Sequence, residues 1–198
     1  APTEIYTLSL HDALPIFMPN LAMDSLDYAG PRINEGSKGV LLGLGDPVRA
    51  LPRDFSGELP PGVQQARVFS PGCLVIQGPS YAAERELPAR AAAWPAFSAW
   101  PLLVVSDDAE RAARSATNFL WTTFTRFDPA ADLAAARTEL VHHHAALTPP
   151  IAIDARLKPG YPEELSCDPD TARTVSRRWL EYFPDGLEMG DSERGHLD

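Results

Sequence analysis

Three histidines stand side by side at His142 to His144. Neighbouring residues of a strand point to opposite faces, so at most His142 and His144 could converge on one point. No cysteine lies near them, and the nearest carboxylate, Glu139, is three residues away and faces the other side. The pair could line the rim of a partly exposed pocket, where imidazoles can hydrogen-bond. The plainer alternative is a solvated strand end, and no metal site is expected.

The remaining reactive groups are weaker still. "SDDAE", Ser106 to Glu110, contains a carboxylate pair, but Asp107 is a good helix N-cap and Asp108 and Glu110 suit the first turn. "ERE", Glu84 to Glu86, has the composition of an acid/base set but lies on an Ala-rich stretch, where it reads as a solvated face. "EGSKGVLLGLG", Glu35 to Gly45, could cradle a phosphate through its glycines and Lys38. Its spacing is not that of a P-loop and no strand is expected to precede it, so a Gly-rich arm is the better reading. Cys73 and Cys167 have no metal-ligand spacing and read as reduced thiols. No catalytic residue emerges.

The elements that must position these groups form a recognisable order. "QQARVF" and "CLVIQG" are short β-type runs around the turn "SPG". Tyr81 to Trp94 is Ala-rich and helical, with Pro88 expected to kink or split it. "PLLVVS", Pro101 to Ser106, is apolar throughout, as in a strand buried on both faces. The helix after it places Ala112, Ala116, Phe119, Leu120 and Phe124 on one face. "TELVHHH" and "IAIDA" are two further strands, and "DPDTARTVSRRWLEYF" is a helix capped by Asp168 with Pro169 first. The order β-β-α-β-α-β-β-α predicts an α/β fold, a mixed β-sheet with flanking helices.

Four segments follow. Residues 62–184 form the α/β domain, and 18–61 precede it as an extended Gly/Pro-rich arm. Residues 185–198 are a polar tail. Residues 1–17 are set aside: "TEIYTLSLHDALPI", back-translated, looks like a sequencing adapter read in frame. The gene is then expected to be cut at that point, with the rest being the back end of a longer protein. The formal charge of −10 falls to −8 without Glu4 and Asp12 of that leader. An acidic surface argues against nucleic-acid binding, and no apolar run is long enough for a membrane span.

Three segments in this order resemble the C-terminal domain of the UbiD family of prenylated-flavin-dependent decarboxylases. They are "QQARVFSPGCLVIQG", "VVSDDAERAARSATNFLWTTFTRFDPAADL" and "PPIAIDARLKPGYPEELSCDP". The second carries Trp121, Thr125, Arg126, Asp128 and Pro129, and the third carries Ile153, Asp154, Ala155 and Lys158. The resemblance implies a carboxy-lyase acting on aromatic or α,β-unsaturated carboxylic acids. This portion would be its lid and oligomerisation half, in a cytoplasmic homo-oligomer. The prenylated FMN, a divalent metal and the catalytic Glu-Arg-Glu set would all belong to the missing barrel. Glu84-Arg85-Glu86 is not that set, and no cofactor is expected in the fragment. The rival reading is a stand-alone, non-catalytic interaction domain of the same fold.

Overall fold

The computed structural model describes residues 50–140, 145–161 and 168–187 in full. It gives the main chain alone for 14–21, 36–42, 141 and 144. Strands β1 (Leu14–Leu21) and β2 (Gly36–Leu42) pair antiparallel, with Phe17 opposite Gly39 and Lys38 opposite Met18. The Gly-Ser-Lys stretch is thus ladder main chain rather than a phosphate-cradling loop.

The body is a five-stranded sheet built from β3 (Gln65–Ser70), β4 (Cys73–Gln77), β5 (Leu102–Ser106), β6 (Leu133–Val141) and β7 (His144–Asp154). Its spatial order is β3-β4-β5-β7-β6, with β4, β5 and β7 parallel and both outer strands antiparallel. The mixed sheet is the α/β architecture expected. Gly72 turns the β3–β4 hairpin at φ 79°, a conformation that glycine adopts without a side-chain penalty.

Both faces of the sheet are covered, which is why β4 and β5 read as unbroken apolar runs. Leu74, Ile76, Leu103, Val105 and Ala152 point to one side. There they meet helix α1 (Leu87–Ala92), the 3₁₀ turn Pro95–Phe97 and Trp100, with Phe55 packed alongside. Cys73, Val75, Val104 and Ile153 point to the other side, against α2 (Ala109–Arg114) and α3 (Ala116–Thr125). Helices α4 (Pro169–Arg177) and α5 (Trp179–Tyr182) follow the sheet.

Four expectations change. The helix foreseen from Tyr81 begins at Leu87, because Pro88 lacks the N–H that an interior position needs and is tolerated only in a first turn. Ser80 to Glu84 form a turn instead, with the Ala83 and Glu84 N–H groups both donating to the Ser80 carbonyl. The long helix after β5 breaks at Ser115, whose extended backbone ends α2 and whose Oγ accepts from Asn118 N–H to start α3. Leu120 and Phe124 do not face the core: Phe119, Thr122 and Thr123 do, while Leu120 and Phe124 remain 54% and 55% exposed. "IAIDA" is the end of a longer strand, β7, which starts at His144.

Candidate functional site at the carboxyl edge of the sheet

Parallel strands β4, β5 and β7 end together, and in open α/β sheets that carboxyl edge is where ligands are met. After β7 the chain reads Asp154-Ala155-Arg156-Leu157-Lys158. In an extended stretch, alternate residues share a side. Arg156 and Lys158 both turn inward, where few charged side chains are found unless paired.

Arg156 is fully buried, and its charge is answered on the spot. Its Nε donates to Asp154 Oδ1 at 2.9 Å and its Nη2 to Asp154 Oδ2 at 2.7 Å, a two-pronged pair. Nη1 donates to the Pro79 and Glu84 carbonyls at 2.7 and 2.9 Å. The guanidinium therefore fastens the end of β7 to the loop after β4. Lys158 Nζ donates to the Arg126 carbonyl (2.6 Å) and the Asp154 carbonyl (2.9 Å), and pairs with Asp132 Oδ2 at 3.0 Å. Tyr161 Oη also donates to the Arg126 carbonyl, at 3.1 Å.

Asp132 is buried, and burial pushes its carboxyl above the ordinary range, opposed by the Asp128 N–H and by Lys158. Tyr81 sits among three cations, with Arg85, Arg156 and Lys158 each 5.4 to 5.5 Å from its ring centroid.

Asp107 departs from its expected role. The N-cap of α2 is Asp108, whose Oδ1 accepts from Arg111 N–H at 2.9 Å. Asp107 lies one residue closer to the strand and turns to the edge instead. Its Oδ2 accepts from Leu157 N–H at 2.7 Å and meets Arg126 Nη1 at 3.5 Å. Glu84-Arg85-Glu86 is likewise not a plain solvated face, since Glu84 Oε1 holds Arg90 Nη2 at 2.7 Å.

Of the two expected rim residues, His142 lies outside the described residues, and His144 is described by its main chain in β7 alone. Cys167 also lies outside them, and Cys73 is buried with a free thiol. Among the described residues, no three His, Cys, Asp or Glu side chains converge as metal ligands, and no helix is long and apolar enough to cross a membrane.

The arrangement can hold shape. Its buried cations are already matched by carboxylates and carbonyls, and among the described residues no base is seen beside a nucleophile. The signal that would have revealed it is the Asp-x-Arg-x-Lys alternation directly after an apolar strand.

No family model matches the chain. Curated relatives do. An uncharacterized protein of Chlamydia trachomatis is 40% identical over 169 residues, covering 85% of this chain and 29% of the relative. Another from Chlamydia caviae is 37% identical over 169 residues, covering the same shares of each. A Chlamydia pneumoniae protein, named as one of the subunits of a 4-hydroxybenzoate decarboxylase, is 39% identical over 169 residues, covering 85% of this chain and 28% of the relative. The chain thus spans less than a third of the length of the curated relatives it matches.

Proposed function

We propose that this chain works as the lid and assembly portion of a UbiD-like carboxy-lyase, in the cytoplasm. Its substrates are aromatic or α,β-unsaturated carboxylic acids, and decarboxylation requires the remainder of a longer polypeptide. The observation that carries the reading is the 39% identity, over most of the chain, to a protein named as part of a 4-hydroxybenzoate decarboxylase.

In this reading, prenylated FMN with its divalent metal supplies the electron sink that loss of CO₂ from an sp² carbon needs. Two buried cations of the carboxyl edge, Arg156 and Lys158, are not available to that group. Arg156 spends its donors on Asp154, Pro79 and Glu84, and Lys158 spends its own on carbonyls and Asp132. Neither is left to grip a phosphate, so no step is routed through the cofactor here.

The test is a chimera. The matched region of the Chlamydia pneumoniae protein is replaced by the matched residues of this chain, and CO₂ release from 4-hydroxybenzoate is measured with prenylated FMN supplied. The reading expects turnover from the chimera and none from this chain alone. A chimera that folds and takes up the flavin but releases no CO₂, beside an active parent, would remove the assignment.

A further inference from the structure

Lys158 Nζ is enclosed by groups from several parts of the chain. The Arg126 carbonyl accepts from it at 2.6 Å where α3 ends, and the Asp154 carbonyl at 2.9 Å where β7 ends. The Arg156 carbonyl lies farther off, at 3.5 Å. Asp132, just ahead of β6, places Oδ2 at 3.0 Å. Two aromatic rings complete the enclosure, with the centroids of Tyr81 and Tyr161 at 5.5 and 5.6 Å. The lysine side chain keeps 11% of its surface exposed and that of Asp132 keeps 6%.

Each group in this set suits an ammonium. Such a head has three N–H donors, and the two near carbonyls and the carboxylate match them in number. The Arg126 carbonyl belongs to the negative end of α3, and ring faces within about 6 Å attract positive charge. Buried oxygens gathered about one point repel each other unless a cation sits among them. Arg126, Asp132 and Asp154 come from three elements, so their shared centre is made by the tertiary fold rather than by a local turn.

We infer that this is a binding site for a primary alkylammonium group, which the chain fills with its own Lys158. The ammonium is the ligand and the lysine stem is its tether. Cutting the tether therefore leaves a site that takes a free amine. Lys158→Ala removes three carbons and the nitrogen, and n-propylammonium supplies the same atoms in the same order. The inference concerns the carboxyl edge alone and does not depend on the decarboxylase reading.

Urea unfolding of the whole chain tests it, in n-propylammonium, tetramethylammonium or sodium chloride at matched ionic strength. In sodium chloride, Lys158→Ala is expected to lower the folding equilibrium constant at least about a hundredfold, because Asp132 is left buried without its partner. n-Propylammonium restores the midpoint and the effect saturates. Tetramethylammonium, with no N–H to donate, does not restore it. The wild type, already filled, responds alike to all three salts. Should the variant be unfolded in sodium chloride, its circular dichroism on addition of n-propylammonium gives the same readout.

Two further variants separate a site from a general solvent effect. Lys158→Met puts an apolar tip where the ammonium sat and is expected to ignore n-propylammonium. Adding Asp132→Asn to Lys158→Ala raises the half-saturating concentration about tenfold, since a charge-assisted hydrogen bond is lost. Any of four results would overturn the inference: Lys158→Ala as stable as wild type; no gain from n-propylammonium; an equal gain from tetramethylammonium or in Lys158→Met; or a half-saturating concentration that Asp132→Asn leaves unchanged.

Discussion

Arg156 and Asp154 form a two-pronged ion pair in which the guanidinium is wholly buried and the carboxylate 3% exposed. Bringing two charges out of water is costly, and the pair persists because the remaining guanidinium donors also find carbonyls. Removing one partner leaves the other charged and stranded. Arg156→Met is therefore expected to lower stability by about 3–5 kcal/mol, read from the urea midpoint. Arg156→Lys should recover little, since an ammonium cannot reproduce the planar fork. A methionine variant as stable as wild type would refute this account.

Asp132 gives a pH dependence with a definite sign. Burial holds its folded pKa above the ordinary 3.8, so the folded state keeps the proton longer than the unfolded chain. Stability from this group is full below 3.8 and is lost as pH rises through the raised value. Following the urea midpoint upward in pH from 3.8, Asp132→Asn should lack this component of the fall. Identical pH profiles for the two proteins would rule it out.

The adjacent aspartates at the head of α2 should separate cleanly. Asp108→Ala removes the cap and costs about 1 kcal/mol, with faster hydrogen exchange at the Arg111 amide. Asp107→Ala leaves that amide alone and instead releases the one at Leu157. If Asp107→Ala speeds exchange at Arg111 rather than Leu157, the assignment of the two roles is reversed.

Cys73 should be chemically silent in the folded chain. Burial pushes its thiol up to about 12, and the thiolate is the reactive form. In a Cys167→Ser background, a thiol reagent at neutral pH is expected to label the protein only as fast as it unfolds. Rapid labelling in native buffer would contradict the packing around β4.

The sheet was legible because its physics is local. Leu74 to Ile76 and Leu102 to Val105 are continuous apolar runs, and Pro71-Gly72 marks a turn that needs positive φ. Asp168 caps α4 ahead of Pro169 as foreseen, its carboxylate accepting from Thr171 N–H at 2.8 Å. The edge network was not legible in the same way. Asp107 and Asp108 are equally good caps on composition, and their division of labour depends on where Leu157 and Arg126 arrive from distant parts of the chain. Leu120 and Phe124 misled for a related reason. A helix with apolar residues on two sides cannot announce which side meets its own sheet.

Because one guanidinium grips the end of β7, the loop at Pro79 and the turn at Glu84 together, displacing any one of these stretches breaks a hydrogen bond that ties it to the other two. The carboxyl edge is a single mechanical part. Anyone grafting a new loop between Gly78 and Glu86 must supply two carbonyls at the old positions, or the strand end on the far side of the sheet will slacken with it.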